Sequence, residues 1–202
     1  KTNQPLDQFM AQNFYEPMGM NSTSFNPLQK FSAIRIAPTE QDNIFRKALI
    51  TGMVHDQGAA LLGGVAGHAG LFSTATDLAK IAQMLLQEGI YGDTRYFQKE
   101  TIQRFTSQQY ESNRRGLGWD KPLHGEWHGP TAEQASKQTF GHTGFTGTAV
   151  WIDPEFDLVY VFLSNRIHPD ASNTKLLKAN TRTRIQEVIY DAIWQYRSTQ
   201  VN

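Results

Sequence analysis

The chain has 202 residues, enough for one domain with its own core or for part of a larger domain. Nineteen basic and nineteen acidic residues cancel, and no basic run is clustered, which removes any electrostatic case for nucleic acid. Cysteine is absent, excluding disulfides, Cys-ligated metals and a Cys nucleophile, and no stretch approaches the roughly 18 uninterrupted apolar residues of a membrane span.

The chain opens on Lys1-Thr2-Asn3-Gln4-Pro5, without an initiator Met or a signal-peptide pattern, and is expected to be an excised or cleaved piece. Pro5 to Phe14 reads as a short helix, with Leu6, Phe9, Met10 and Phe14 at helical spacing and Pro17 and Gly19 ending it. Residues 15–50 are turn-rich and read as irregular. Residues 58–71 are small and glycine-rich. No Gly-Lys-Ser/Thr follows, so this is no phosphate loop, and close backbone packing explains the glycines.

Ser73 to Gln87 predicts an amphipathic helix. Ser73 is the expected N-cap, Asp77 places a carboxylate in the first turn, and Leu78, Ile81, Ala82, Leu85 and Leu86 share a face. Gly89 stops it. A second helix is expected over about Lys99 to Ser107, with Ile102 and Phe105. Gly116-Leu117-Gly118-Trp119 predicts a short strand, followed by a long loop to about Lys137. Then Thr148 to Ile152 and Leu158 to Leu163, two β-branched runs around the turn Asp153-Pro154-Glu155-Phe156-Asp157, predict an antiparallel hairpin. A last helix is expected from about Asn173 to Tyr196, docking Leu176, Leu177, Ile185, Val188, Ile189, Ala192 and Ile193 on a sheet.

Several residues carry potential chemistry. Phe140 to Gly147 sets His142, Thr143 and Thr146 among three glycines, which suits a site wall on the end of a strand, although composition alone favours a plain glycine-rich strand entry with a solvated His. His124, Glu126 and His128 stand close enough for a zinc site, but Gly125, Gly129 and Pro130 argue for a loop and the His-Glu-x-x-His order is absent. No metal and no cofactor are therefore expected. His55-Asp56 is read as a local structural pair. Ser172-Asn173-Thr174-Lys175 has the Ser-x-x-Lys form of a nucleophile and its amine base, but capping by Asp170 or Ser172 explains it without catalysis. Ser24-Phe25-Asn26 has the Ser-x-Asn form inside a Pro-rich turn.

Taken together, several phrases resemble the serine β-lactamase and penicillin-binding-protein family, in its class C-like hydrolase and esterase branch. Phe14 to Phe25 resembles that family's F-x-P-L-G-M-x-x-T-x-F segment. Gly67 to Ala79 resembles its AGGLFSTAxDLA segment, and Phe140-Gly141-His142-Thr143-Gly144 its third catalytic motif. Trp151-Ile152-Asp153-Pro154 and Leu163-Ser164-Asn165-Arg166 follow where its next strands stand.

The resemblance implies an α+β, DD-peptidase-like fold, incomplete at the N-terminus. Residues 1–202 would be the C-terminal part of one domain, with a helical subdomain and loops to about 135 and sheet strands and the C-terminal helix from about 136. The family's Ser-x-x-Lys and Tyr-x-Asn motifs would lie upstream, so only third-motif roles carry over. His142 would take the place of the motif's cationic residue, Thr143 would offer its hydroxyl to substrate, Gly144 would let the strand approach, and the backbone N–H of Phe145 would be one oxyanion-hole donor.

The implied parent is an extracytoplasmic serine hydrolase forming an acyl-enzyme on a β-lactam, a cell-wall peptide or a small ester, and the isolated chain is expected to be inactive. The rival reading is a β-lactamase-like domain kept for binding or scaffolding. The partners expected are a small-molecule or peptide substrate and the N-terminal half of the same domain. In the family the strand at Leu158–Leu163 pairs with an N-terminal strand, so here its edge is expected to be covered by a retained N-terminal piece or by self-association.

Overall fold

The computed structural model describes residues 2–125 and 129–200. The chain divides into two compact units that alternate along the sequence: one runs to Ile81 and resumes over Leu163–Thr174, the other comprises Ala82–Phe162 and the chain from Lys175.

In the first unit, helix α1 (Leu6–Met10) widens into a π turn over Ala11–Tyr15 and stops where Gly19 turns left-handed at φ +65°. Tyr15, Met18 and Met20 are buried behind that stop. Strand β1 (Ser24–Phe25) pairs antiparallel with β4 (Leu71–Phe72), joining the two segments that the resemblance singled out separately. Asp77 fastens the same junction. Its Oδ2 accepts from Ser22 N at 2.7 Å and from Thr23 Oγ1 at 3.1 Å. The amphipathic helix is α3 (Ala75–Leu86). Its cap is Thr74, whose Oγ1 accepts from Asp77 N at 3.3 Å, rather than Ser73, whose hydroxyl pairs with Thr23 Oγ1 at 2.7 Å.

Residues 15–50 are more regular than the sequence suggests. Strands β2 (Pro38–Asp42) and β3 (Ala48–Thr51) form an antiparallel hairpin. Its turn is closed by side chains. Asp42 accepts from the backbone of Ile44, Phe45 and Arg46 and from Arg46 Nε at 2.8 Å. The Arg46 guanidinium and these turn N–H groups hold the Asp42 carboxyl well below the usual carboxylate range. Arg46 also donates to Val54 O and His55 O, and His55 Nδ1 lies 2.7 Å from Glu40. Asp56 caps the short helix α2 (Gln57–Leu61) through Ala59 N at 2.7 Å, inside the stretch read as close-packed loop. His55 and Asp56 therefore do hold local structure.

The second unit contains the hairpin β5 (Ile90–Tyr91) and β6 (Thr94–Arg95), helix α4 (Lys99–Thr106), and an antiparallel sheet of β7 (Phe140–Thr143), β8 (Ala149–Asp153) and β9 (Leu158–Phe162) in that order. The predicted hairpin is β8–β9, with Trp151 opposite Tyr160 and Asp153 opposite Leu158. The strand expected at Gly116–Trp119 is a turn. Gly116 N donates to Trp119 O at 3.0 Å, Gly118 is left-handed at φ +78°, and pairing is confined to the bridge Asp120–Gly141.

The single helix expected at the C-terminus is split. Asn180 turns left-handed at φ +49° between α5 (Lys175–Lys178) and α6 (Thr181–Gln200). The expected apolar face is also turned: Ile185 and Val188 are exposed, while Thr183, Gln186 and Tyr190 are buried. These three have polar partners. Thr183 donates to Gly129 O, Gln186 Oε1 accepts from Ala132 N, and Tyr190 donates to Asp153 Oδ2 at 2.6 Å. Ile189 packs against the cluster of Ala149, Trp151 and Tyr160, and Ile193 against that of Ala132, Ala135, Phe156 and Tyr190.

Candidate active site

Strand β7 carries the Phe-Gly-His-Thr-Gly segment, and its placement follows from packing. Phe140 is buried edge-on against Trp119, ring centroids 5.3 Å apart. Gly141 faces the Trp151 indole across the pair: a Cβ there would stand 2.6 Å from Trp151 Cε3 and would overlap Val150 O. The close approach that this glycine permits is thus to Trp151. Gly144 closes the β7–β8 turn, donating to Thr148 O at 2.8 Å and accepting from Gly147 N at 3.0 Å. Phe145, in that turn, is 61% exposed.

Backbone alternation sets which way β7 faces. Gly141 exchanges both of its bonds with Asp120, at 2.7 and 3.0 Å, on the side away from β8. Thr143, two residues on, turns its N–H and C=O to that same side.

His142 is exposed, and its partners fix its tautomer. Nδ1 lies 2.7 Å from Thr143 O, which can only accept, so Nδ1 carries the hydrogen. Nε2 lies 3.0 Å from Arg115 Nη1, which can only donate, so Nε2 accepts. The Arg115 guanidinium thus stands beside the imidazole at the end of β7.

Arg115 stands on a loop that sequence reading left unassigned. The loop is tied down at several points: Leu117 N donates to Phe105 O, Gln109 N to Arg115 O, and Arg115 N to Asn113 Oδ1. Next to it, Arg114 grips the buried Asp120 carboxylate with two bonds, Nε to Oδ1 at 2.7 Å and Nη2 to Oδ2 at 2.9 Å. Arg115, Arg114 and Asp120 are thus brought to His142. The only signal in the sequence is the Arg-Arg pair ahead of Gly-Leu-Gly-Trp-Asp.

The remaining candidates lie elsewhere. Ser172 sits in a turn closed by Asp170, whose Oδ1 accepts from Ser172 N at 2.8 Å. Ser24 lies in β1, and Asn26, left-handed at φ +45°, donates to Gly63 O. His124 Nε2 donates to Ala135 O at 2.8 Å, while Glu126 and His128 lie outside the described residues. Among the described residues no three His, Asp or Glu side chains are grouped to hold a metal ion, and no helix is long and apolar enough to cross a membrane. A cleft of about 620 Å³ opens in the second unit, lined by Ile102, Thr106, Lys121, Gln138 and Phe140, and does not include the His142 end of β7. Burial lowers the pKa of the Lys121 ammonium there, and its Nζ donates to Thr106 O and Gln138 O.

The chain is similar to known proteins in sequence and in fold. The chain is 41% identical over 179 residues to an Escherichia coli K12 protein named "Putative D-alanyl-D-alanine carboxypeptidase", covering 83% of the chain and 41% of that protein. A Salmonella typhi protein of the same name is 37% identical over 213 residues, covering 95% of the chain and 49% of that protein. The chain therefore spans less than half the length of these relatives. Among solved structures, a simvastatin synthase variant from Aspergillus terreus superposes with a TM-score of 0.67 at 19% identity, covering 96% of the chain and 52% of that one. A penicillin-binding protein homologue from Caulobacter crescentus superposes with a TM-score of 0.59 at 15% identity, covering 93% and 53%. The α+β fold is the β-lactamase and penicillin-binding-protein fold. A family model described as Beta-lactamase matches residues 1–183, and the chain belongs to that family.

Proposed function

We propose that this chain supplies the third-motif wall of a serine DD-carboxypeptidase, an enzyme that cleaves the terminal residue of a cell-wall peptide through an acyl-enzyme. The observation that carries this reading is the end of β7. Phe140 and Gly141 are locked into the unit, while His142, beside Arg115, and Phe145 are left exposed. The 41% identity to a protein named as a carboxypeptidase supports peptide over lactam or small ester as the substrate.

The attacking serine and its Lys come from a part of the protein outside these 202 residues. The only Ser-x-x-Lys here, Ser172 to Lys175, begins in the Asp170 turn and is not the nucleophile. Thr143 offers its hydroxyl to the substrate, and the Phe145 N–H is one of two donors to the oxyanion. Loss of one such donor typically slows catalysis by about 10²–10³. Loss of the nucleophile costs on the order of 10⁶ in a comparable serine enzyme, so this chain alone is inactive. A cell-wall peptide substrate places the enzyme outside the cytoplasm.

The test is release of D-alanine from a peptide ending in D-alanyl-D-alanine, by the full protein that carries this chain. Turnover that falls at least tenfold in Thr143→Ala, with the fold retained, supports the reading. No turnover and no acylation would leave a non-catalytic binding domain.

A further inference from the structure

We propose that the cleft of the second unit is a binding site for a small carboxylate with an apolar body, and that Lys121 anchors the carboxylate. The cleft stands apart from the His142 end of β7, so this site does not depend on the hydrolase reading above.

The first support is the lining. A volume of about 620 Å³ falls within the roughly 300–1,000 Å³ of small-molecule sites. Leu85, Ile102 and Phe140 are buried, and each turns part of its surface to the cleft. Leu86 and Pro154 extend this apolar lining. An apolar wall with a few polar groups converging on it suits a ligand that is mostly hydrocarbon.

Charge is the second support. Lys121 and Lys137 line the cleft against a single carboxylate, Glu88. Glu88 is already engaged, by Lys99 Nζ at 2.8 Å and Gln103 Nε2 at 3.3 Å. The Asp153 charge acts on Lys121, but among the described residues the two form no ion pair, and the Asp153 carboxylate is taken by Ser136, Glu155 and Tyr190. The described lining therefore carries net positive charge. Burial of the Lys121 ammonium is unfavourable, which is why its pKa falls, and a carboxylate brought in by a ligand offsets that cost.

The third support is donor geometry. Lys121 Nζ donates to Thr106 O at 3.2 Å and to Gln138 O at 3.3 Å. An ammonium has three N–H groups, so among the described residues one is left for a ligand oxygen. The backbone of Lys121 is fixed as well. Its N–H donates to Asp120 Oδ1 at 2.9 Å, and its carbonyl accepts from Arg114 Nε at 3.1 Å. A donor held from both ends loses little freedom when it binds an anion. The bond to Thr106 O also caps the last turn of α4, a purely structural role that makes no distinction between an acid and an alcohol.

The test is calorimetric titration of the full protein carrying this chain with octanoate, octanol and acetate. It is repeated in Lys121→Met, which keeps an apolar stem, and in Lys121→Arg. Octanoate is expected to bind saturably, and more tightly than octanol, which lacks the charge, or acetate, which lacks the apolar body. Lys121→Met is expected to weaken octanoate roughly 10- to 100-fold, the range of one charge-assisted hydrogen bond, and to leave octanol unchanged, with Lys121→Arg recovering part of the loss. Equal weakening of octanoate and octanol marks a structural role and overturns the proposal. Octanoate binding that ignores Lys121→Met overturns it too, as does no saturable binding, the result if another segment of the protein fills the cleft.

A second readout needs no variant. Lysines are reductively methylated with formaldehyde and cyanoborohydride, with and without octanoate, and mapped by mass. Octanoate is expected to slow modification of Lys121 and to leave the exposed Lys30 unchanged. Protection of both lysines alike, or of neither, overturns the anchor.

Discussion

Tyr190→Phe tests what holds the second unit together. Asp153 is 1% exposed, and among the described residues no cationic side chain forms an ion pair with it. Its carboxylate instead accepts from Ser136 N at 2.9 Å, Ser136 Oγ at 2.6 Å, Glu155 N at 3.0 Å and Tyr190 Oη at 2.6 Å. Burial alone would raise the Asp153 pKa, but the donors from Ser136 and Tyr190 overcome it and hold the value below normal. Burial and the Asp153 charge push the Tyr190 hydroxyl far above an ordinary phenol, so it stays a donor. Removing that hydroxyl keeps the ring, which packs edge-on against Phe156 at 5.0 Å.

A hydrogen bond to a charged group is worth about 1.5–3 kcal/mol, and three donors remain on the carboxylate, so the expected cost is about 2 kcal/mol. In hydrogen exchange of the β8 and β9 amides this is about a 30-fold loss of protection. Tyr190→Ala also deletes the ring and should cost roughly 3 kcal/mol or more beyond that. The pH dependence follows from the sign of the shift. A carboxyl whose folded pKa is depressed contributes stability above its unfolded value of about 3.9, and the contribution is lost as pH falls through the folded value. Tyr190→Phe removes one of the lowering donors, so acid unfolding of this unit should begin at higher pH. A change in protection below twofold, or a Phe variant as damaged as the Ala variant, would refute the reasoning.

Other expectations follow from the same contacts. Gly141→Ala should separate β7 from β8, because the new Cβ meets Trp151 and the Val150 carbonyl, with an overpacking cost of about 1–3 kcal/mol read by urea denaturation. Arg46→Ala should selectively lower amide protection in β2 and β3, leaving β8 protected; uniform loss would contradict a local role for the Asp42–Arg46 turn. That turn should also open in acid, below the ordinary carboxylate range, since the Asp42 carboxyl is held low by Arg46. Among the described residues β9 pairs only with β8, so its apolar edge should draw a second copy or a further segment of the protein. A monodisperse monomer of the chain by light scattering, with no bound peptide, would count against that.

Much of the sheet could be read directly from the sequence because its signal is local. Val150, Ile152, Val159 and Val161 flank a Pro-containing turn, and the hairpin falls where that pattern puts it. Helix α3 was equally plain from its apolar spacing. The hairpin β2–β3 was not, since Thr39, Glu40, Gln41 and Asp42 carry no apolar alternation and the turn is built from an Asp–Arg contact. The strand expected at 116–119 fails because Gly118 takes a left-handed turn, and the last helix breaks at Asn180 for the same reason. The buried face of α6 was misjudged because Thr183, Gln186 and Tyr190 are buried through polar partners, which apolar spacing does not reveal. In the candidate site, position 142 was legible from its motif. Arg115 was not, because its place depends on how Arg114, Asp120 and a loop close onto β7.

The most direct test is intact-mass spectrometry with peptide mapping, on the full protein carrying this chain, after incubation with a penicillin and with a fluorophosphonate. If β7 is the wall opposite a nucleophile supplied from elsewhere, one adduct forms on a serine outside these 202 residues and the chain by itself gains no mass. A stoichiometric adduct on Ser172, or on any other serine within the 202 residues, would contradict it.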